Sequence, residues 1–223
     1  NNRLKTIVDI GTDHGLLPIA LAATKQFEKV AGIDISQQVL SDGAMALYHE
    51  FLDHLVCVRG CTFENAASQL PVDFYCANGL VKVGRGDGDI VCIAGMGVKT
   101  MLKIITPAEL DRVQCQALLL QPTNSKPRNL IQLYDALQKS GWRLEGERIQ
   151  KISSRWYISS AFSKTDQSYT PLGTLELPGS KLHDCLNTSS SEMKTEFVKY
   201  VKHHCSWLEA DKKFGLDSDE QRW

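Results

Sequence analysis

The chain of 223 residues carries 25 basic and 26 acidic side chains, a net charge of −1, and 43% of its residues are hydrophobic. This balance is ordinary for a folded domain and gives no overall attraction to polyanions, so any nucleic-acid contact has to come from a local basic face. No apolar run reaches the roughly 18 residues of a membrane span, and the chain opens without a secretory signal. We therefore expect a cytoplasmic protein, with an organelle as the alternative.

The first elements are a strand at Thr6–Ile10, a tight turn and a helix at Leu16–Ala23. In such a turn, glycines let backbone N–H groups approach a ligand at the start of the helix. Gly11 and Gly15 fit this pattern. The sequence therefore predicts a nucleotide-binding turn here.

Two residues of this turn, Asp13 and His14, are unusual at such a position. Asp13 is expected either to cap the helix that begins near Leu16 or to face a bound ligand. His14 either forms a local hydrogen bond or faces the same ligand. The residues alone leave both alternatives open.

Further strands alternate with helices along the chain, which predicts an α/β fold with a doubly wound, Rossmann-like parallel sheet. The predicted strands are Val30–Ile35, Val72–Ala77, Asp89–Ala94 and Ala117–Gln121. A helix opens at the capping residue Ser36, with Gly43 weakening its middle. The stretch Leu52–Leu70 contains HLVCVRG, either a strand or the end of a long helix, and we interpret it as an insertion.

After a helix at Leu130–Gly141, the residues from Trp142 to Lys164 form two β-rich runs joined by Ser153 and Ser154. They predict an antiparallel hairpin that closes the sheet.

The last part of the chain has a different composition. Residues 166–191 are rich in Ser, Thr, Pro and Gly, which is typical of a linker, and Glu192–Phe214 is a predicted helix. Its apolar stripe is predicted at Met193, Phe197, Val201 and Leu208. We therefore expect a domain at residues 1–165 and a linker with a small helical segment at 166–223.

Polar groups and glycines follow four consecutive strands of the predicted sheet. Asp34 ends the second strand, 25 positions after Asp9, and a carboxylate at this place typically binds ribose hydroxyls. Asp34 could instead cap the following helix, but Ser36 fits that role better. Asn78 and Gly79 follow the third strand, and Ala94, Gly95, Met96 and Gly97 end the fourth. Together these strand ends predict one continuous cofactor-binding trough along the carboxyl edge.

The seven cysteines include no C-x-x-C pair. Cys57 and Cys61 lack a second pair of ligands nearby, so no metal site is predicted. Cys76, Cys92 and Cys115 lie in or beside apolar strands and are expected to pack in the core.

Several of these motifs resemble one known family. DIGTDHGLLP (Asp9–Pro18), NGL, DIVCIAGMG (Asp89–Gly97) and LLLQP (Leu118–Pro122) are similar to motifs of the bacterial tRNA adenine N1-methyltransferases, which modify an adenine in the D-arm. The resemblance covers roughly Leu4–Ser163. It implies a class I fold with a seven-stranded sheet, a helical C-terminal extension, S-adenosylmethionine as cofactor and tRNA as partner.

The resemblance also implies roles for single residues. Gly11 and Gly15 would lie by the methionine part of the cofactor, Asp34 would hold its ribose, and Asn78 would lie beside the adenine. The loop of Gly95, Met96 and Gly97 would close over the methyl donor. Asp9, Gly79 and Ala94 are expected to bind the cofactor as well. Asp13 and His14 would act in catalysis on the target base. Gln121 and Pro122, at the end of the fifth strand, either line the pocket for that base or form an ordinary strand-ending turn. From their place in the loop NSKPRN, Lys126 and Arg128 are expected either to contact phosphates or to be solvated charges.

The chain departs from the family pattern in two places: Asn78 stands where Asp is usual, and Val98 where a second glycine is usual. Two other functions stay open, a class I methyltransferase for a small molecule and a cofactor-binding protein without catalysis. A dehydrogenase is disfavoured because the first turn lacks the G-x-G-x-x-G pattern.

Overall fold

The computed structural model describes residues 4–165, 181 and 191–211, with side chains of the last segment described for residues 193–204. Seven strands form one sheet in the order β3-β2-β1-β4-β5-β7-β6. Their bounds are β1 Thr6–Ile10, β2 Lys29–Asp34, β3 Val72–Cys76, β4 Ile90–Met96, β5 Ala117–Pro122, β6 Trp142–Ile152 and β7 Arg155–Lys164.

The pairing of these strands confirms the predicted α/β class. β1 runs parallel to β2 and to β4, and β2 runs parallel to β3. β6 and β7 pair antiparallel, as expected for the hairpin joined at Ser153 and Ser154. The first four strands are neighbours in the sheet, so their carboxyl ends meet at one edge.

The helices are α1 Leu16–Ala23, α2 Gln37–Val39, α3 Ala46–Arg59, α4 Phe63–Gln69, α5 Val98–Ile104, α6 Pro107–Val113, α7 Pro127–Lys139 and the C-terminal helix Ser191–Asp211. A π-helical segment, Leu40–Met45, joins α2 to α3. No helix in the described ranges combines the length and apolarity that crossing a membrane requires.

The stretch Leu52–Leu70 is helical. α3 ends at Arg59, where Gly60 adopts a left-handed φ of 61° and closes the last turn through its N–H to the Val56 carbonyl. Thr62 then caps α4 by accepting from the Asn65 N–H. HLVCVRG is therefore the end of a helix, and the alternative of a strand is wrong.

The chain groups into two compact units. The first unit is Asn1–Ala94 with Ile104–Leu118, and the second is Gly95–Lys103 with Leu119–Trp223. The predicted linker at 166–191 falls outside the described residues apart from 181 and 191, so the boundary after residue 165 stays a prediction.

Each unit has its own buried core. In the first unit, Ile7, Val30 and Leu52 pack with Ala22 and Leu70. In the second unit the Tyr134 ring meets Phe162 edge-on at 5.2 Å, and the Tyr134 hydroxyl donates to Glu147 Oε1 at 2.6 Å. Burial raises the pKa of Tyr134 well above its usual value, so it stays a hydrogen-bond donor.

The C-terminal helix packs through the predicted face, and Tyr200 and His204, which the prediction did not include, are its most buried described residues. Tyr200 is fully buried and His204 is 9% exposed, whereas Met193, Phe197 and Val201 are half-buried. The Tyr200 hydroxyl donates to the Ser125 carbonyl at 2.6 Å, which orients this face. Met193, Phe197, Tyr200 and His204 follow one another at intervals of three or four residues, so the predicted stripe lies on the buried side of the helix. The side chain of Leu208 lies outside the described residues.

Candidate cofactor and substrate sites

Both glycines of the turn after β1 adopt the left-handed backbone that favours glycine. Gly11 has φ 78° and Gly15 has φ 72°, and the Gly11 N–H donates to the Ile33 carbonyl at 2.7 Å. A Cβ at Gly15 would lie 2.8 Å from the Ala44 Cβ. Gly15 is therefore required for close packing as well as for its backbone conformation.

Asp13 does not cap the helix. The residue that precedes α1 is Gly15, and in the described chain no side chain caps this end. The Asp13 carboxylate is 69% exposed, and its own N–H donates to Asp34 Oδ2 at 3.2 Å. The capping alternative for Asp13 is therefore wrong, and its charge faces the solvent at the carboxyl edge.

His14 lies beside Asp13 and against the π-helical segment. Its Nε2 is 3.8 Å from Asp13 Oδ1, and its side chain is 68% exposed. A Cβ added at Gly43 would come within 2.7 Å of His14 Nδ1. Gly43, which the sequence showed only as a weak point in a helix, thus makes room for the imidazole.

Asp34 is held in place by two backbone donors. Its Oδ1 accepts from the Ser36 N–H at 2.9 Å and its Oδ2 accepts from the Asp13 N–H. Each carboxylate oxygen has a second lone pair, so this geometry leaves acceptors for ribose hydroxyls. Ser36 caps the following helix through the Val39 N–H, as predicted.

Ile35, next to Asp34, lies at the same edge and was not singled out in the sequence analysis. It is 71% exposed although it is large and apolar. Isolated exposed apolar residues are common, so the sequence offered no signal for it beyond its place after Asp34.

Asp9 lies beneath this edge. It is 4% exposed, and burial raises its pKa to about 6 against the lowering effect of Thr12 and Cys92. Burial, with the nearby Asp9 charge, raises the pKa of Cys92 to about 12. Asp9 is therefore in the wall of the site, and Cys92 is a buried packing residue, as predicted.

The end of β3 is close to Asp34 through the backbone. The Ala77 N–H donates to the Asp34 carbonyl at 2.9 Å, and the exposed Asn78 follows. Gly79 has φ 59°, and its Cβ would lie 3.2 Å from Ile104. The first unit thus brings together Asp9, Gly11, Asp13, His14, Gly15, Asp34, Asn78 and Gly79, with Ala94 at its boundary.

The remaining predicted residues belong to the second unit. Gly95 has φ 73° and, with Gly97, has open space where a Cβ would point, as judged from the described residues. The Met96 carbonyl accepts from the Thr123 N–H, which joins this loop to the end of β5. At that end the Gln121 side chain donates to the Pro122 carbonyl and Pro122 is buried, whereas Lys126 and Arg128 are exposed.

The chemistry of the first unit suits an organic cofactor. Within the described ranges, no group of three or more His, Cys, Asp or Glu side chains is placed to hold a metal ion. A fixed carboxylate, an exposed amide and an exposed aliphatic side chain instead match a ribose, a purine amino group and a purine face.

Comparison with known proteins agrees with this fold. A methyltransferase domain family model matches residues 2–158, and no curated protein matches the chain. A Streptococcus pneumoniae protein described as a candidate tRNA (m1A22) methyltransferase is 19% identical, with a TM-score of 0.64 over 97% of this chain and 86% of that one.

Two further solved structures have the same fold. The B. subtilis m1A22 tRNA methyltransferase TrmK is 17% identical, with a TM-score of 0.58 over 99% of this chain and 86% of its own. M. capricolum TrmK, solved with S-adenosyl-homocysteine, is 20% identical, with a TM-score of 0.58 over 96% and 83%. The family model spans well over half of the residues, and the chain therefore belongs to the methyltransferase domain family.

Proposed function

We propose that this chain is an S-adenosylmethionine-dependent tRNA methyltransferase that methylates N1 of an adenine in the tRNA D-arm. The observation that carries the proposal is the Asp13 carboxylate, which is exposed and does not cap α1. The backbone N–H of Asp13 donates to the Asp34 carboxylate at the end of β2. The similarity to m1A22 tRNA methyltransferases over nearly the whole chain supports the choice of substrate.

The cofactor-binding role rests on the first unit. Asp34 would accept hydrogen bonds from the ribose hydroxyls, Ile35 would cover one face of the adenine, and Asn78 would bond its amino group. S-adenosylmethionine supplies the methyl group on a sulfonium centre. The roles assigned from the sequence to Gly95, Met96, Gly97, Gln121 and Pro122 stay predictions.

The reaction requires positioning of the base and stabilisation of a developing positive charge more than it requires a strong base. Adenine N1 attacks the methyl carbon with its lone pair while the carbon–sulfur bond breaks, and the ring gains a positive charge. Asp13 would stabilise that charge and accept from the exocyclic amine. His14, placed next to Asp13, would orient the ring.

N1 lies on the Watson–Crick edge of adenine, which a base pair covers. An enzyme acting there has to take the nucleotide out of its stack or act on an unpaired one. The exposure of Asp13 and His14 is consistent with a base that arrives from solution.

The test is nucleoside mass analysis of unmodified tRNA after incubation with the chain and S-adenosylmethionine. We expect 1-methyladenosine in the D-arm. Methyl uptake by metabolite mixtures but not by tRNA would contradict the proposal and indicate a small-molecule methyltransferase. Cofactor binding without transfer to either would indicate a binding protein without catalysis.

A further inference from the structure

A cleft of about 470 Å³ lies within the second unit. Its walls come from the loop after β5, the tip of the β6–β7 hairpin and the C-terminal helix, and we call it the hairpin cleft. The side chains that matter here are Lys126, Arg155, Trp156, Tyr200, His203 and His204.

The walls of the hairpin cleft are fixed by buried hydrogen bonds. Ser125 accepts from the Tyr200 hydroxyl through its carbonyl and from the Ile158 N–H through its Oγ, at 2.6 and 2.9 Å. The Trp156 indole N–H donates to Glu196 Oε2 at 3.2 Å. Because each wall is bonded to another, the cleft is formed before any ligand binds.

The lining of the hairpin cleft is positively charged, in contrast to the net charge of −1. Glu196, which accepts from the Trp156 indole, is paired with Lys199 Nζ at 2.8 Å. Among the described residues that line it, none is acidic, and Lys126 and Arg155 are cationic and exposed. Burial, aided by His203 and Lys126, lowers the pKa of His204 to about 4, so this ring is neutral near pH 7. Lys151 Nζ, 4.7 Å from the Trp156 ring centroid, adds a further cation at the margin.

Aromatic rings stand among these cations. The Trp156 ring lies 5.0 Å from the exposed His203 ring and meets the Tyr200 ring edge-on at 5.9 Å. Interleaved cations and aromatic rings are typical of sites for single-stranded nucleic acid, where cations contact phosphates and rings stack on bases. An acidic peptide would match the charge but would leave the rings unused.

We propose that the hairpin cleft binds a single-stranded segment of the RNA substrate, with phosphates on Lys126 and Arg155 and a base against Trp156 and His203. The proposal rests on the proposed function for the identity of that RNA. It gives the C-terminal helix a role in substrate binding and separates that role from the cofactor-binding residues of the first unit.

The test measures the affinity of the full chain for unmodified tRNA by fluorescence anisotropy at several salt concentrations. Arg155→Glu should weaken binding by about tenfold or more and flatten the salt dependence, because a phosphate contact is lost. His203→Ala should weaken it by about threefold to tenfold. The control is Arg148→Glu, an exposed residue of β6 outside the cleft, which should change affinity less than about twofold.

Equal losses in Arg155→Glu and Arg148→Glu would overturn the proposal, since they would indicate a general charge effect. Inorganic phosphate or an acidic peptide that competes as well as single-stranded RNA would also overturn it. Methylation by the unsubstituted chain is measured in parallel. If tRNA is methylated but Arg155→Glu binds it normally, only the cleft assignment fails; if Arg155→Glu loses RNA binding but no methyl group is transferred, only the proposed function fails.

Discussion

At the scale of single residues, Asp13 stands out because it adopts an unfavourable backbone conformation although it does not cap the following helix. Its φ of 52° lies in the left-handed region, which costs a non-glycine residue on the order of 1 kcal/mol, although Asp tolerates it better than most. The sequence indicated that Asp13 was unusual but left capping and ligand contact open. The structure, with Gly15 before α1, excludes capping, and the contact of Asp13 with a ligand stays a prediction.

Asp13→Asn should lower the turnover number by on the order of a hundredfold, because the substitution removes charge while it keeps the shape. Affinities for cofactor and tRNA should stay close to those of the parent. Single-turnover methylation at saturating tRNA measures this, with Asp53→Asn, an exposed residue of α3, as the control. A rate above about half that of the parent would assign Asp13 to structure.

Asp9 gives the molecule a pH dependence of stability. Its pKa is raised from 3.8 to about 6, so the folded state holds this proton more tightly than the unfolded state. The stability it contributes is fully present below about pH 4 and is lost as the pH rises through 6, a change of roughly 3 kcal/mol. Asp9→Asn should remove this component.

Denaturant unfolding of both proteins between pH 4 and 7.5 checks the prediction for Asp9. The free energy of unfolding of the parent should fall more steeply with rising pH than that of Asp9→Asn. Parallel curves for the two proteins would contradict the prediction, because they would show that ionisation of the buried Asp9 does not lower the free energy of unfolding.

At the scale of elements, the strands were predictable because their apolar runs are short and β-branched. Boundaries moved by a residue or two, as for β4, which continues to Met96. The π-helical segment was not predicted, and neither was the burial of Tyr200 and His204 in the C-terminal helix. Tyr200 is bonded to Ser125, which is distant in sequence, so no local pattern signals its burial.

Gly43→Ala should displace the His14 ring, since the added Cβ would lie 2.7 Å from His14 Nδ1. The fold should be retained, because only the end of the His14 side chain has to move. Thermal stability should stay constant or rise slightly, because alanine favours helix by about 0.5–1 kcal/mol over glycine. Methylation should fall if His14 orients the base. Ser41→Ala, in the same segment, is the matched control.

A double-mutant cycle separates the contact from an unrelated effect of Gly43 on the helix. In a His14→Ala background, Gly43→Ala should cause little further loss of methylation, because the side chain it displaces is already absent. Additive losses in the two backgrounds would contradict a contact between these residues that matters for activity.

At the scale of the whole molecule, the sequence predicted a parallel sheet and the groups at the ends of its first strands, because parallel strands place their carboxyl ends at one edge. It did not predict the order of the strands in the sheet. It did not predict the division into two units or the hairpin cleft. Lys126 was predicted as a phosphate contact from its loop alone. Its neighbours Arg155 and His203 lie far along the chain, and no local pattern connects them.

Cofactor binding should therefore appear as a gain in stability of the whole chain. S-adenosylmethionine at about 100 times its dissociation constant should stabilise the chain by about 2.7 kcal/mol, and NAD should not. Asp34→Ala should weaken binding by roughly 1–3 kcal/mol, because the ribose hydroxyls lose a charged acceptor. At the same ligand concentration, the gain in that variant should fall to roughly 1 kcal/mol.

Thermal melts with and without ligand, paired with calorimetry, measure this gain. The comparison uses the increment within each variant, because Asp34→Ala also frees the Asp13 and Ser36 N–H groups and lowers the stability of the ligand-free chain. Asp53→Ala, an exposed acid on α3, is the control and should keep the full increment. An undiminished increment in Asp34→Ala would remove Asp34 from the cofactor site, and stabilisation by NAD in place of S-adenosylmethionine would contradict the cofactor itself.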